Sequence, residues 1–330
     1  MPAVDFSTEY LGLKLRSPIV ASASPCTGQP DVLRHMEELG AGAAVLPSLF
    51  EEQVTRSKKT DEALESMAEF PTLNYYNSGP DNYASLVGRA RAAVTMPIIG
   101  SLNGISLGGW IDFARRIRDA GADALELNLY YVPIDPSASP MTVEAQYLDV
   151  ISKVRQKVDI PLAVKIGPYF SSLPYFARQL AEAGVDGVVL FNRFLEPDID
   201  LEHHRVAPHL ELSHPSEARL SIRWLGILRD QLRISLAASS GIHNGTDALK
   251  ALASGADVVM LTSTLLQNGV DSLLDIRDEM LAWLTYHEYQ KVSQLIGSLS
   301  RKACGSSAVF ERANYATTLA SYMDEGVAAQ

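Results

Sequence analysis

Short apolar runs recur at regular intervals along the chain, and each is preceded by one of two sequence patterns. In the first pattern a helical segment ends at Gly and a small or acidic turn leads into the run. Its four copies begin at Gly40, Gly121, Gly184 and Gly255. Gly accepts the left-handed conformation in which helices often end, and continuous apolar runs are typical of buried parallel strands. The second pattern reads Ser-Pro-Ile-Val-Ala, Met-Pro-Ile-Ile-Gly, Ile-Pro-Leu-Ala-Val and Arg-Ile-Ser-Leu-Ala, at residues 17–21, 96–100, 160–164 and 233–237.

Interleaving the two patterns predicts eight strands, nearly every one followed by a helix-sized segment. The predicted strands are residues 19–23, 43–46, 98–102, 124–129, 162–166, 187–191, 234–239 and 258–261. Eight such units in succession are the signature of a (β/α)8 or TIM barrel, an α/β fold whose active sites lie at the carboxyl ends of the strands. We expect one domain over residues 1–330.

The chain is longer than the roughly 250 residues of a bare barrel. We expect residues 1–17 to form a hairpin that closes the barrel floor, residues 18–284 to form the barrel, and residues 285–330 to form a helical tail. The tail pattern predicts two helices that flank residues 302–307. Insertions at residues 50–80 and 192–218 follow strands 2 and 6, so both belong to the face where barrels carry their chemistry, and either could act as a lid.

Composition narrows the class of partner. A net charge of −11 argues against nucleic acid and anionic membrane surfaces. Cys26 and Cys304 are the only two cysteines, so we expect neither an iron–sulfur cluster nor a thiolate zinc site, and a reducing cytoplasm fits this sparse usage. The first residues lack the pattern of a secretory signal, and no apolar run approaches the roughly 18 residues that a transmembrane helix needs. We expect a soluble, cytoplasmic protein with a small-molecule substrate.

Polar residues interrupt the predicted strands at positions that face the barrel interior. Residues 125–129 read Leu-Glu-Leu-Asn-Leu, so the leucines face the helices while Glu126 and Asn128 face inward. The same alternation turns Lys165 inward on strand 5, and Asn192 follows strand 6. An inward charge is costly unless it is paired or used. Two interpretations stay open: a structural Glu126–Lys165 ion pair, or functional groups at the mouth of the barrel.

The turns after strands 7 and 8 are rich in small residues. Strand 7 ends at Ser240-Gly241 and strand 8 at Thr262-Ser263. Barrels often bind phosphate at these turns through backbone N–H groups, although ordinary turns of this composition are the alternative interpretation. Combined with one lysine and several carboxamides, the turns favour a planar, phosphate-bearing cofactor that is hydrogen-bonded along its edge, such as FMN.

These motifs resemble the soluble dihydroorotate dehydrogenases, a family of FMN-dependent barrels. The matching segments are residues 11–13, 17–18, 126–129, 164–170, 240–242, 255–257 and 262–263. The resemblance implies that Lys165 contacts the flavin and offsets the charge of its reduced ring, and that Ser101 lines the ring. It implies phosphate contacts from Ser240, Gly241, Thr262 and Ser263, and substrate contacts from Asn74, Asn128 and Asn192. It also implies a homodimer.

The segment after strand 4 departs from the family pattern. The family carries a Cys or Ser base in an Asn-x-Ser-Cys/Ser-Pro-Asn loop, whereas residues 128–133 read Asn-Leu-Tyr-Tyr-Val-Pro, and Pro47 replaces the family lysine after strand 2. Tyr131 is the positional candidate for the base, although a phenol has an ordinary pKa of about 10 and needs a neighbour that lowers it. Packing against the flavin is its alternative role. We expect a dehydrogenase that acts on a CH–CH bond of dihydroorotate, a related dihydropyrimidine or another unsaturated acid, with the electron acceptor left open.

Two other functions fit parts of the sequence. Lys165 could form a Schiff base in an aldolase that acts on a phosphorylated substrate, or the chain could bind flavin without turnover, because the family base is absent. A separate hypothesis concerns the His-rich residues 202–214, whose imidazoles and carboxylates could bind zinc or iron. Their spacing matches no ligand motif, so we favour a polar lid and expect no metal site.

Overall fold

The computed structural model describes residues 4–56, 71 and 73–327. The strands in chain order are β1 (Thr8–Tyr10), β2 (Leu13–Leu15), β3 (Ile19–Ala21), β4 (Ala43–Val45), β5 (Leu49–Phe50), β6 (Ile98–Asn103), β7 (Ala124–Asn128), β8 (Leu162–Ile166), β9 (Gly187–Leu190), β10 (Asp198–Asp200), β11 (Arg205–Ala207), β12 (Ser235–Ser239) and β13 (Val258–Leu261). The α-helices described are α1 (Pro30–Leu39), α2 (Glu51–Arg56), α3 (Asn74–Asn77), α4 (Gly79–Ala93), α5 (Asp112–Asp119), α6 (Pro140–Arg155), α7 (Leu173–Glu182), α8 (Ala218–Leu228), α9 (Gly245–Ser254), α10 (Ser263–Asn268), α11 (Ser272–Tyr286) and α12 (Ala313–Val327).

Eight parallel strands close into a barrel, which confirms the predicted fold class. Their order around the barrel is β3, β4, β6, β7, β8, β9, β12 and β13, and β13 pairs with β3 to complete the circle. The surrounding helices pack on the outer face of these strands through one large buried core, and a second buried core fills the barrel interior. The polar residues at the strand ends therefore converge on one mouth.

The repeated Gly-x-Asp phrase has a structural explanation at the barrel base. Asp123, Asp186 and Asp257 each accept a hydrogen bond, at 2.8 Å, from a backbone N–H in the first two residues of the preceding strand of the barrel. Each of these carboxylates also pairs with an arginine from a surrounding helix or its end, over 2.7–3.1 Å. The carboxylate thus holds neighbouring strands in register, which accounts for the recurrence of the phrase.

The N-terminal hairpin β1–β2 closes the floor of the barrel, as the sequence predicts. Tyr10, Leu11 and Leu15 are buried and belong to the core inside the barrel. The backbone N–H of Leu11 donates to Ser235 Oγ at 2.9 Å, which ties the hairpin to the start of β12. A Cβ at Gly187 would lie 2.5 Å from Leu11 Cδ2, so the hairpin fits only against a strand without a side chain there.

Both insertions lie on the carboxyl-end face of the barrel, as predicted. The segment after β9 forms a small antiparallel ribbon, β10–β11, and then returns across the mouth to α8. Of the insertion after β4, the structure describes β5, α2 and α3, whereas residues 57–70 and 72 lie outside the described residues.

The prediction of two tail helices is wrong for the first of them, the helix expected before residue 302. Residues 287–301 contain only a short 3-10 turn at Val292–Gln294, and the tail helix is α12. Backbone N–H groups of Gly297 and Leu299 donate to the carbonyls of Leu252 and Ala253 at the end of α9, at 2.9 and 2.8 Å. Bonding to the carboxyl end of another helix replaces the internal hydrogen bonds that a helix here would have formed.

No helix in the described part of the chain is both long enough and apolar enough to span a bilayer.

Candidate active site

A cavity of about 770 Å³ opens at the carboxyl ends of the barrel strands, within the range of about 300–1,000 Å³ that is typical of ligand sites. All eight strands of the barrel contribute to its lining, through residues at their carboxyl ends or just beyond them. These residues are Ala23, Ser48, Asn103, Asn128, Lys165, Asn192, Ser239 and Met260. The insertions supply much of the remaining wall. Their loops narrow the opening of the cavity at the mouth of the barrel.

Lys165 is the cation at the floor of this cavity. Its side chain is 8% exposed, and Nζ donates a hydrogen bond to Ser22 Oγ at 3.3 Å. Among the described residues no carboxylate oxygen lies within 4.0 Å of Nζ. The structural ion pair with Glu126 that the sequence left open is therefore not formed, and the ammonium remains available to a ligand.

Glu126 lies deeper in the barrel, on the same inward face as Asn128. Burial raises the pKa of its carboxyl above the ordinary value, and the Lys165 charge and the Asn128 amide act against that rise. Neither of its carboxylate oxygens accepts a hydrogen bond from the described residues. The side chain thus favours the protonated, neutral form more than an exposed glutamate does.

Asn128 is fixed by two hydroxyl groups, one from β6 and one from the segment between β4 and β5. Its Nδ2 donates to Ser101 Oγ at 2.9 Å and to Ser48 Oγ at 3.1 Å, and the two hydroxyls are 2.7 Å apart. Ser101 itself is fully buried and does not line the cavity. The structure therefore places Asn128 and Ser48 in the lining, with Ser101 behind them.

The other two predicted asparagines are placed differently from each other. Asn192 lines the cavity at the end of β9, where its backbone N–H donates to the Ile166 carbonyl at 2.7 Å. Asn74 is exposed on α3 and does not line the cavity. The buried asparagine of that helix is Asn77, whose Nδ2 donates to the Ser48 carbonyl at 2.7 Å and so supports the wall from behind.

The predicted phosphate-binding residues lie together at one end of the cavity. Ser240, Gly241, Thr262 and Ser263 all line it. Ser240 and Gly241 have left-handed backbones, with φ of 72° and 74°, and a Cβ on Gly241 would overlap the backbone nitrogen of Ala218. This turn needs glycine at its second position, as close backbone turns around anions often do.

Ser213 closes that end of the cavity from the insertion after β9. Its Oγ accepts a hydrogen bond from the Gly241 backbone N–H at 3.1 Å and donates to Ser263 Oγ at 2.8 Å. Because the hydroxyl oxygen takes the N–H that a phosphate oxygen would use, the segment around Ser213 occupies the place where the two predicted phosphate turns meet.

Tyr131, the candidate base, does not line the cavity. Its ring lies edge-on to Tyr147, with the centroids 6.4 Å apart. The adjacent Tyr130 lines the cavity instead. Its ring stacks on Phe194 at 4.5 Å, and its hydroxyl accepts a hydrogen bond from the Leu195 backbone N–H at 3.1 Å. The segment after β7 therefore contributes an aromatic wall to the cavity.

Two of the four histidines of the 202–214 segment are engaged in local pairs. His203 Nδ1 lies 2.9 Å from Asp200, and His214 Nε2 lies 3.0 Å from Glu211. Within the ranges that the structure describes, no three His, Cys, Asp or Glu side chains come together in a way that would hold a metal ion.

Sequence comparison bears directly on the identity of this cavity. Residues 6–284 match the model of the dihydroorotate dehydrogenase family. The chain belongs to this family. As a dihydroorotate dehydrogenase-like protein it is an oxidoreductase, a dehydrogenase of CH–CH bonds, and neither the aldolase nor the non-catalytic alternative is favoured.

Several curated relatives cover nearly the whole chain at low identity. The chain is 23% identical over 305 residues to the dihydroorotate dehydrogenase B (NAD(+)) catalytic subunit of Thermoplasma volcanium, a match that covers 89% of this chain and 98% of the relative. It is 25% identical over 323 residues to the same subunit of Geobacter sp. strain M21, covering 91% and 99%. It is 22% identical over 298 residues to the dihydroorotate dehydrogenase A (fumarate) of Lactobacillus helveticus, covering 87% and 96%.

Several lining residues of this dihydroorotate dehydrogenase-like cavity escape sequence analysis. Ser48 follows a strand end and could have been found by the inward alternation that identified Lys165. Glu52, Tyr130 and Ser213 lie on loops or insertions, where no periodic pattern indicates which side chain turns toward the mouth. Their positions depend on packing between segments that are distant in sequence.

Proposed function

We propose that the enzyme binds FMN in this cavity and oxidises a carbon–carbon single bond of a small polar substrate to a double bond. The observation that carries the proposal is the buried Lys165 ammonium at the floor of the cavity, which has a hydroxyl as its hydrogen-bond partner and no carboxylate within ion-pair distance among the described residues. A buried cation without a counter-ion is costly unless a ligand compensates it.

The residues present fit a flavin mononucleotide. One end of the cavity has the Ser240–Gly241 turn and the Thr262–Ser263 turn for a phosphate, and the Ser24 hydroxyl is buried in the lining without a partner among the described residues. Lys165 lies on the cavity floor, and its strand β8 stands between the strands that lead into these turns and the strands that carry Asn103 and Asn128. Lys165, Ser240, Gly241, Thr262 and Ser263 would hold the cofactor, with Ser101 behind the wall.

When bound, FMN supplies a two-electron acceptor for a hydride. Lys165 provides a fixed, buried positive charge, which stabilises negative charge that develops in the reaction without reorganisation of the site. Asn128 and Asn192 orient the substrate. Because Asn128 Nδ2 already donates to Ser48 and Ser101, its Oδ1 is the atom left to accept a hydrogen bond from a substrate N–H.

The proton that leaves the substrate carbon passes to solvent water, which reaches the cavity through its mouth. Tyr131 is not part of this proposal, because the structure places its ring against Tyr147, outside the lining. Burial raises the pKa of Tyr76, which does line the cavity, to about 12, so Tyr76 is protonated at neutral pH and serves as a hydrogen-bond donor.

The spectrum of the purified protein tests the proposal. We expect a yellow protein whose cofactor, released by heat, is FMN, and whose flavin band is bleached anaerobically by at least one small dihydropyrimidine. Dithionite serves as the control for a reducible flavin. A protein that does not bind FMN, or a bound flavin that dithionite bleaches but no dihydropyrimidine does, would overturn the proposal.

We propose a cytoplasmic homodimer that passes its electrons to an acceptor outside this chain. With two cysteines in its sequence, the chain has fewer than the four that an iron–sulfur cluster takes. Its relatives differ in the acceptor their names give, NAD(+) in two and fumarate in one. Light scattering on a size-exclusion column measures the oligomeric state, and a monomeric mass would contradict the dimer.

A further inference from the structure

Glu52 is a carboxylate in the cavity lining for which the described residues provide no counter-ion. It lies in the first turn of α2, is partly buried, and lines the cavity together with Phe50 and Tyr76. No Lys, Arg or His nitrogen of the described residues lies within 4.0 Å of its carboxylate. Burial raises its pKa, and the neighbouring Glu51 carboxylate adds to that rise.

The adjacent Glu51 shows what a structural carboxylate on this helix looks like. Glu51 Oε2 accepts hydrogen bonds from the backbone N–H groups of Ile105 and Ser106, at 2.8 and 3.0 Å, and it does not line the cavity. It therefore already fixes the helix to the loop after β6. Among the described residues, Glu52 has no such hydrogen bond to another segment, so its place in the lining is the feature that needs an explanation.

Strand register locates Glu52 relative to the cation. Phe50 pairs with Asn103, Asn103 with Asn128, and Asn128 with Lys165 across neighbouring strands. Lys165 is thus three strand spacings, each about 4.8 Å, from the strand that leads into Glu52. The two charges lie on different parts of the wall, and the two asparagines lie between them.

The remaining charges of the lining are already paired. Arg193 lies 3.4 Å from Glu217 and also donates to the Glu211 backbone carbonyl, and Glu211 pairs with His214. The tyrosines that share the wall, Tyr76 and Tyr130, bring no charge of their own as phenols. Once Lys165 is committed to the cofactor, the described residues of the lining offer a substrate one unpaired charge, the negative charge of Glu52.

We propose that Glu52 determines substrate class: the enzyme takes a small oxidisable compound without a carboxylate, one that presents a ring N–H or a protonated amine to Glu52. This inference rests on the proposed function, because Lys165 is assigned there to FMN. A carboxylate such as that of dihydroorotate would meet Glu52 without a cation to compensate it, and like charges at short range in a partly buried site repel strongly.

Binding of uracil and orotate to the FMN-loaded protein tests the inference, because these rings differ only by the carboxylate. Calorimetric titration at pH 7.5 gives both dissociation constants without turnover. We expect uracil to bind at least tenfold more tightly than orotate. Glu52→Gln should reduce that preference at least tenfold, mainly by strengthening orotate binding. Glu51→Gln, the matched control on the same helix, and Glu52→Asp, which keeps the charge, should preserve it.

The pH dependence of orotate binding is a second test, because a purely structural role of Glu52 would not produce it. As pH falls and Glu52 becomes protonated, orotate should bind the wild-type protein more tightly, whereas Glu52→Gln should lack this part of the response. Glu51, Tyr76, Tyr130, Lys165, Arg193 and Glu211 are the other ionisable groups around it, and all are retained in that variant.

Orotate that binds the wild-type protein as tightly as uracil, a preference that Glu52→Gln leaves unchanged, or failure of both rings to bind either protein would overturn the inference. Failure of the proposed function shows separately, as a preparation that takes up no FMN.

Discussion

Lys165 is buried on the cavity floor and has, among the described residues, one hydroxyl as its hydrogen-bond partner. These properties determine how it would act on the proposed cofactor. A surface lysine has its charge screened by water, whereas a buried one acts at close to its full strength. The alternation of strand β8 alone identified this residue, because an inward lysine on an otherwise apolar strand has few structural uses.

Replacing Lys165 by Met should make the bound flavin harder to reduce. The substitution keeps the length of the side chain and removes the positive charge that favours the electron-rich form. We expect the two-electron midpoint potential to fall by about 30–60 mV, where 30 mV corresponds to about 1.4 kcal/mol. Lys153→Met, an exposed change on α6, should leave the potential unchanged. An unaltered potential in Lys165→Met would contradict a contact with the flavin.

Glu126→Gln should change how stability depends on pH. Because burial raises the folded-state pKa of Glu126, the folded protein holds a proton that the unfolded chain releases near the ordinary value of 4.5. Wild-type stability therefore declines as pH rises from that value through the raised pKa. The glutamine variant lacks this decline, so its melting temperature should exceed that of the wild type by an amount that grows with pH, to a few degrees.

Thermal melts between pH 4.5 and 8 measure that difference. Glu196→Gln, at an exposed position, is the control and should track the wild type throughout. A difference between Glu126→Gln and the wild type that stays constant, or that narrows as pH rises, would show that Glu126 is charged in the folded protein at no cost.

At the scale of elements, the insertion after β9 is the segment that would meet the phosphate of the proposed FMN first. Ser213 Oγ accepts from the Gly241 N–H and donates to Ser263, so a phosphate must replace the hydroxyl as the acceptor for that N–H. We predict that Ser213→Ala strengthens FMN binding about fivefold, since one hydrogen bond of about 1 kcal/mol no longer competes.

Quenching of FMN fluorescence during titration of protein without cofactor measures this affinity. Ser171→Ala, an exposed change in the turn before α7, should bind FMN like the wild type. If Ser213→Ala instead binds FMN more weakly, the hydroxyl is a ligand of the phosphate and not its competitor.

The packing of the β1–β2 hairpin against β9 allows a second prediction at this scale. Gly187→Ala places a Cβ 2.5 Å from Leu11 Cδ2 and 3.2 Å from Ser235 Cβ, so the variant should lose about 1–3 kcal/mol of unfolding free energy through overpacking. Gly88→Ala on α4, where the nearest atom would be 3.9 Å away, should instead gain about 0.5–1 kcal/mol. Urea denaturation compares them, and equal stability of the two variants would contradict the closed floor.

At the scale of the whole molecule, the features that sequence analysis predicts correctly have a periodic sequence pattern, and the features that it misses have none. The eight strands, the hairpin and the inward Lys165 follow from repeating patterns that local geometry dictates. The absent first tail helix was missed because residues 297–299 bond to the end of α9, a contact that no local pattern shows. Glu52 and Ser213 were missed because their places in the lining also depend on contacts between segments that are distant in sequence. Tyr131 was preferred to Tyr130 because side chains in a loop do not alternate between two faces as they do in a strand.

Tyr10 and Leu11 close the base of the barrel, so in the described part of the chain the cavity opens at the mouth. In the part of the chain that the structure describes, side chains of the hairpin fill the base of the barrel, so we expect the substrate to enter and leave the cavity through its mouth. Under the proposed function, the substrate and a small diffusible oxidant would share this route, so we expect the product to leave before the oxidant enters and the reduction and reoxidation of the flavin to alternate in time.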